Sequence, residues 1–423
     1  MWLLNTRTLR LTSITLGPSL IPVPYAILSH VWGKEEVSFY EVQEQIPAAK
    51  QKAGWEKMVN FCNKARELGF VFVWIDTCCI DKRNSADLSE DINSMYTYYR
   101  ESVVCFIYLE DVPPLPSTDN ETQQATISRT QQLEAVQKTK WASRGWTLQE
   151  FIAPKTRCFF ASDWSLIHNG PDLVEALFTA TGVHRGAIID HDTIQCFSIA
   201  ERMSWTAKRQ TTRPEDMAYS LMGLFGVSMP ILYGEGARKA FKRLQSEIIQ
   251  MSPDMSIFAW RGDYGDSGLL ARSPVDFANS PRLSFWNSKG LSPFSMTNVG
   301  LSIRLNIIQF KLASPFKEIT GFREDDSLDL LFLAALRCAD ASEREQPRNI
   351  VVYLARCKGV DFSINNKLCP AYRRIKCKDW LTYPVDDSGN WPCEDLVILE
   401  DEHMRFLTGC RHKHGSNPED PGH

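Results

Sequence analysis

The chain has 423 residues, of which 43% are hydrophobic and 23% charged, with a net charge of −4. This length predicts roughly two or three domains and ample material for a buried core. The slight acidic excess argues against a nucleic-acid binder or a binder of anionic membranes.

The elements read as follows in chain order. "YAILSH" (25–30) is a strand: Pro22 and Pro24 bar a helix entry, and Gly33 ends it. Residues 53–68 form an amphipathic helix, with Trp55, Met58, Val59, Cys62 and Ala65 at helical spacing and Gly69 as the stop. "FVFVWI" (70–75) is continuously apolar, as in a central parallel strand, and Asp76 closes it. A second helix follows, capped by Ser85 or Ser89, with Glu90 and Asp91 near its start and Leu88, Ile92, Met95, Tyr96 and Tyr99 as its buried stripe. "VVCFIYL" (103–109) is the third strand. The alternation predicts an open parallel sheet with right-handed crossovers. Ligand sites in such sheets lie at the carboxyl ends of the strands, here carrying Ser29, His30, Asp76, Glu110 and Asp111.

Residues 112–138 read as a polar surface loop. Ser143 is the expected cap of a helix running through residue 152. Leu148 and Ile152 would anchor that helix to the sheet, with Trp146 and Glu150 paired on the face turned away. From about 165 the pattern is helical. "DMAYSLMGLFGV" (216–227) is a buried helix ending at Gly226, and 234–251 is a helix with Phe241, Leu244, Ile248 and Ile249 inward. After Pro253, "MSIFAW", "VGLSIRLNII", "LDLLFLAAL" and "NIVVYLAR" are short β-type runs. The expected division is an α/β domain at 1–164, a helical extension at 165–251, a β-rich domain at 252–410 and a disordered tail at 411–423.

Glu150 carries two readings. Beside the Trp146 indole it would form a wall for a cationic, aromatic ligand. Alternatively Trp146 packs on the second domain and Glu150 is solvated or paired with Arg144. His30 ends the first strand, where a ligand would sit, or is a structural histidine. Ser29 and His30 are neighbours on a strand, so they point to opposite faces and do not form a Ser–His pair. Asp76 either binds ligand hydroxyls or caps the next turn. Asp81 and "GEG" (234–236) read as turns, and no P-loop or dinucleotide fingerprint occurs. "RRIKCK" (373–378) reads as a solvated loop.

The twelve cysteines are spread too thinly for a disulfide scaffold. There is no CxxC pair, and Cys410, His412 and His414 fall in a Gly/Pro-rich tail, so no metal is expected. No signal-peptide pattern opens the chain, and no run approaches about 18 apolar residues. A reduced, cytoplasmic protein without a membrane span is expected.

"YAILSHVWG" (25–33), "WIDTCCIDKRNSADLSEDINSMYTYY" (74–99) and "SRGWTLQE" (143–150) resemble, in order and spacing, the three blocks of the fungal heterokaryon-incompatibility (HET) domain. "EDMAYSLMGLFGVSMPILYGEGARKAFKRLQSEII" (215–249) looks like the helical extension that often follows it. The resemblance implies a role in non-self recognition and regulated cell death. It implies homo-oligomers or other incompatibility proteins as partners. HET domains are distantly similar to Toll/interleukin receptor (TIR) domains, which implies a TIR/flavodoxin-like parallel sheet. "SRGWTLQEF" is similar to the TIR block whose glutamate is catalytic in NAD-cleaving members. Trp146 then matches its tryptophan and Glu150 its glutamate, while Thr147 and Phe151 depart from the pattern. The implied activity is cleavage of NAD, as substrate and not cofactor, with Glu150 catalytic and Trp146, His30, Asp76 and Ser29 lining the site. The alternative is a non-enzymatic module acting by self-association.

Overall fold

The structure is a computed structural model. It describes residues 1–14, 23–116, 123–280, 283–285, 293–310, 331–340, 348–364, 366–384 and 390–401. The chain divides into two compact units, one of residues 1–248 with 272–281, the other of 249–271 with the chain from 282 onward. The expected tail at 411–423 and the Cys410–His412–His414 group lie outside the described residues.

The first unit is built on a seven-stranded sheet. Its strands are β1 (Trp2–Asn5), β2 (Leu11–Ser13), β3 (Tyr25–Ser29), β4 (Phe72–Trp74), β5 (Val104–Tyr108), β6 (Arg157–Phe160) and β7 (Leu166–Ile167). The order is β2-β1-β4-β3-β5-β6-β7. β4, β3, β5 and β6 are parallel neighbours; β1, β2 and β7 are antiparallel additions at the edges. The parallel core is expected from the apolar runs, since β3 is buried at all five positions. The hairpin β1–β2 and strands β6 and β7 lie outside the sequence expectation.

The helices between these strands are α1 (Phe39–Gln43), α2 (Ala53–Glu67), α3 (Asp76–Cys79) and α4 (Ser85–Glu101). α2 buries Met58, Phe61, Cys62 and Ala65, and the chain leaves it at Gly69, whose φ is 86°. α4 is capped by Asn84, not Ser85 or Ser89: the Asn84 side chain accepts from the Ala86 and Asp87 N–H groups. It buries Asp91, Ile92, Met95, Tyr98 and Tyr99.

Two expectations between β5 and β6 need correction. Residues 123–137 form a helix, α5 (Gln123–Gln137), within the stretch read as a loop. The helix expected from Ser143 instead starts at Thr147, as α6 (Thr147–Ile152), after a 3₁₀ turn at Lys140–Ser143. The cause is long-range. Gly145 N–H donates to the Gln210 carbonyl (2.8 Å), and Gln210 N–H donates to the Ser143 carbonyl (2.7 Å), so this backbone pairs with a distant strand-like segment. Leu148 and Ile152 are fully buried, as expected. The same holds for every residue of α6, so no solvated face exists there.

The chain continues through α7 (Pro171–Thr181), α8 (Arg185–Ile189), α9 (Ile199–Ser204), α10 (Asp216–Tyr219), α11 (Met222–Phe225) and α12 (Ala237–Met251). The stretch 216–227 is thus two short helices, the second ending at Gly226 in the left-handed region. Gly223 lies where α11 meets α4: a Cβ there would stand 2.1 Å from Tyr96 Cβ.

The second unit is a nine-stranded sheet formed by β8 (Asp266–Ser267), β9 (Leu283–Phe285), β10 (Ser295–Thr297), β11 (Gly300–Phe310), β12 (Leu331–Asp340), β13 (Arg348–Ile364), β14 (Lys367–Ile375), β15 (Leu381–Pro384) and β16 (Cys393–Ile398). It is antiparallel apart from β14–β16. Residues 255–258 are a 3₁₀ turn rather than the expected β run. The basic run 373–378 is likewise not a solvated loop. Arg374 lies in β14, fully buried, donating to the Phe258 and Trp260 carbonyls at 3.1 and 2.7 Å and stacking on the Trp260 ring.

Candidate functional site

β3 brings Ser29 and His30 to its carboxyl end, and Asp76 follows β4 beside it. Both Ser29 and His30 are buried, at 0% and 5% exposure. Two side chains from the 141–150 segment meet the Ser29 hydroxyl. Trp141 Nε1 donates to it at 2.7 Å, and the hydroxyl donates to Glu150 Oε2 at 2.5 Å.

The proton inventory of this chain of bonds is informative. Ser29 has one hydroxyl proton, and an indole can only donate. Ser29 therefore accepts from Trp141 and spends its own proton on Glu150. Tyr99 donates to the Leu28 carbonyl (2.9 Å) and is also a hydrogen-bond neighbour of Glu150. The Tyr99 hydroxyl, set between Leu28 and Glu150, draws the Glu150 carboxyl down, as a donor to it does. Burial first, then the negative charge of Asp76, pushes the Glu150 carboxyl up to about 8 against the pull of the Ser29 and Tyr99 bonds.

Asp76 is half-buried. Trp32 Nε1 donates to its Oδ2 at 2.7 Å, and the Lys82 ammonium lies 3.8 Å from the centroid of the Trp32 ring. Burial raises the Asp76 carboxyl, against the attraction of Lys82 and the Trp32 bond. Its other oxygen, Oδ1, is covered and has no hydrogen-bond partner. His30 Nε2 is in the same condition. Glu36 Oε1 stands 3.8 Å from it, too far for a hydrogen bond, and is engaged by Lys57. Burial, then Lys57 and Lys82, hold His30 well below its usual range, so it is neutral.

The structure thus gathers Ser29, His30, Asp76 and Glu150 at one end of the sheet. Ser29 and Glu150 are bonded, Asp76 acts on Glu150 by its charge, and His30 and Asp76 share Lys57 and Lys82 as charged neighbours. Trp146 is not the indole beside Glu150. Its N–H is held by Asp216 Oδ2 (3.1 Å), whose other oxygen accepts from Tyr233 (2.9 Å). With α6 starting at Thr147, Trp146 sits at the helix entry and Glu150 turns inward to Ser29. The indole bonded into the cluster is Trp141, and the indole bonded to the Asp76 carboxylate is Trp32. Sequence reading missed both, although Trp32 stands two residues beyond His30 and Trp141 two before Ser143.

A cavity of about 260 Å³ lies elsewhere, lined by Phe151, Lys155, Arg157, Leu173, Leu177 and Ile188 among others, and by none of the four clustered residues. Among the described residues, one group of metal-type donors lies close together, Asp190, His191 and Asp192, with donor atoms within 4.8 Å. There His191 Nε2 already pairs with Asp192 at 2.9 Å. No helix among the described residues is long and apolar enough to cross a membrane.

Residues 25–150 match the family described as heterokaryon incompatibility protein (HET), and residues 239–290 match a domain of unknown function, DUF8212. Over 228 residues the chain is 44% identical to the vegetative incompatibility protein HET-E-1 of Podospora anserina, a match taking in 53% of this chain and 16% of that protein. The chain thus spans a small part of the length of the relative it matches. No solved structure matches the chain. With the three sequence blocks seated on one parallel sheet, residues 25–150 are a HET domain and the chain is a fungal HET-domain protein.

Proposed function

We propose that this chain acts in heterokaryon incompatibility, and that its HET domain does so as an enzyme cleaving NAD or a related nucleotide at the nicotinamide–ribose bond. The observation that carries this reading is the pair of covered, unpartnered polar atoms, His30 Nε2 and Asp76 Oδ1, at the carboxyl ends of β3 and β4, the same end of the sheet as the Ser29–Glu150 pair. Buried polar atoms are almost always satisfied. Two left open at a strand end suit the hydroxyls of a ribose.

The topology supports this reading. The first parallel strand, β3, lies between the second and third, β4 and β5, with β6 outermost. That order is the flavodoxin-like one, and ligands there sit at the switch point beyond the carboxyl ends of the strands. A TIR-like ancestry accounts for both the order and the placing of Glu150.

The chemistry follows from the groups present. The bond between ribose C1′ and the nicotinamide nitrogen breaks with its electron pair going to the ring, which leaves neutral. Positive charge builds on the ribose, and water adds to C1′ and releases a proton. An ionised Glu150 stabilises that charge. Without substrate, the raised Glu150 carboxyl holds its proton at neutral pH. The cationic pyridinium of the substrate draws it toward ionisation. Trp32, 46% exposed, takes over from Trp146 as the stacking surface for a ring. The named alternative, self-association through Trp146, has less behind it, because that indole is half-buried and bonded to Asp216.

Expression of the chain in a fungal host tests the proposal. Toxicity and loss of cellular NAD should appear together, and both should collapse with Glu150→Gln at equal protein level. Toxicity that survives Glu150→Gln with NAD unchanged would assign the effect to assembly or partner binding instead.

A further inference from the structure

The segment following α9 meets α6 through an unusual side chain. Arg209 is 4% exposed. Its Nε donates to the Trp205 carbonyl (3.1 Å), and its Nη1 donates to the Arg144 carbonyl (2.9 Å) and to Thr147 Oγ1 (3.1 Å). Its Nη2 is covered and has no partner. Thr147, which opens α6, donates its own proton to the Trp141 carbonyl (2.6 Å). Arg209 therefore grips the two pieces of chain that supply the Ser29 contacts: the turn bearing Trp141 and the helix bearing Glu150.

The backbone beside it completes the grip. The paired bonds between Gln210 and residues 143 and 145 lay the 209–212 segment parallel to the entry of α6. The approach is close enough that a Cβ on Gly145 would stand 2.4 Å from Thr211 Cγ2. All of these contacts come from beyond residue 150, where the HET match ends. The 228-residue match to the incompatibility relative is longer than residues 1–150, so it too extends past that point.

We propose that Arg209 is a positioning residue of the site, holding Trp141 and Glu150 in register on Ser29, and that the HET domain is completed by the 205–212 strap. This rests on Glu150 being the working group, as proposed above, and its test does not need activity. A guanidinium buried against a helix entry costs stability unless its bonds and its charge are used. Here its bonds are used on the Trp205 and Arg144 carbonyls and on Thr147, and Glu150, once ionised, holds Arg209 toward its protonated form. The charged and titratable groups facing Glu150 are Asp76 from α3, Tyr99 from α4, Cys105 from β5, Arg144 from the turn before α6, and Arg209 from the strap.

The test uses the full chain with ¹³C-labelled glutamate carboxyls, the Glu150 resonance being assigned by its absence in Glu150→Gln. In Arg209→Met the Glu150 titration midpoint should rise by about one pH unit, as expected for loss of a nearby opposite charge. Exchange of the Trp141 indole N–H should quicken at least about tenfold as its bond to Ser29 loosens. Arg209→Lys should restore most of the midpoint but not the slow exchange, because an ammonium keeps the charge and loses the fork. A midpoint and an exchange rate both unchanged in a folded Arg209→Met would overturn the proposal. If Arg209→Met does not fold, Thr147→Val keeps the charge and removes the acceptor; unchanged Trp141 exchange in that variant overturns the proposal equally. Should these changes appear while NAD is left intact, the positioning role stands and the enzymatic reading falls.

Discussion

Glu150→Gln should be close to neutral for folding at pH 5 and stabilising at pH 9. In the folded chain the Glu150 carboxyl is 4% exposed and pushed up to about 8, against 4.5 for a free glutamate. A carboxyl whose folded pKa is raised binds its proton more tightly in the native state. Its stability contribution is present in full below the unfolded pKa and is lost as pH rises through the folded one. The loss runs at 1.36 kcal/mol for each unit of separation. Over the window from 4.5 to about 8 it is on the order of 3–5 kcal/mol for Glu150. Glutamine does not titrate, and its amide can donate and accept much as the protonated carboxyl does. Urea midpoints of wild type and Glu150→Gln at pH 5, 6.5, 8 and 9 measure the difference. The gap should open with rising pH in favour of the variant. A gap that stays constant across this range would show that Glu150 does not sit protonated in the folded chain, and the account of a carboxyl raised by burial and Asp76 would have to be discarded.

Two further predictions concern the frame around the site. Leu148→Ala, which empties a fully buried position on α6, should cost about 2–5 kcal/mol through the cavity it leaves, read as a lowered urea midpoint. Gly223→Ala should lower the thermal midpoint markedly: the added Cβ meets Tyr96 Cβ, and separating α11 from α4 costs about 1–3 kcal/mol or more.

The core of the first unit was legible because its signals are local. β3, β4 and β5 are short apolar runs closed by Gly33, Asp76 and the acidic pair 110–111, and α2 shows its helical period plainly. Those signals also place Ser29, His30 and Asp76 at strand ends, because residue order along a strand decides which end a side chain occupies. The inward turn of Glu150 was not legible. It depends on where α6 begins, and that is decided by Gln210 and Arg209, some sixty residues away in sequence. Trp141 escaped notice for a similar reason: its role is defined by Ser29, more than a hundred residues earlier. α5 was missed because its polar run carries no clear apolar stripe, and Arg374 because a buried guanidinium stacked on Trp260 reads, in sequence, like any exposed basic residue.

The central claim is that the Glu150 carboxyl acts on a nucleotide, and nicotinamide release from NAD by the purified chain tests it most directly. Wild type should release nicotinamide, with a rate that climbs as pH approaches about 8 and Glu150 ionises, then levels off. Glu150→Gln should be slower by about a hundred- to a thousandfold, the order expected for one lost electrostatic contact to the transition state. No release by the folded wild-type chain at any pH in this range, or equal release by Glu150→Gln, would contradict the claim.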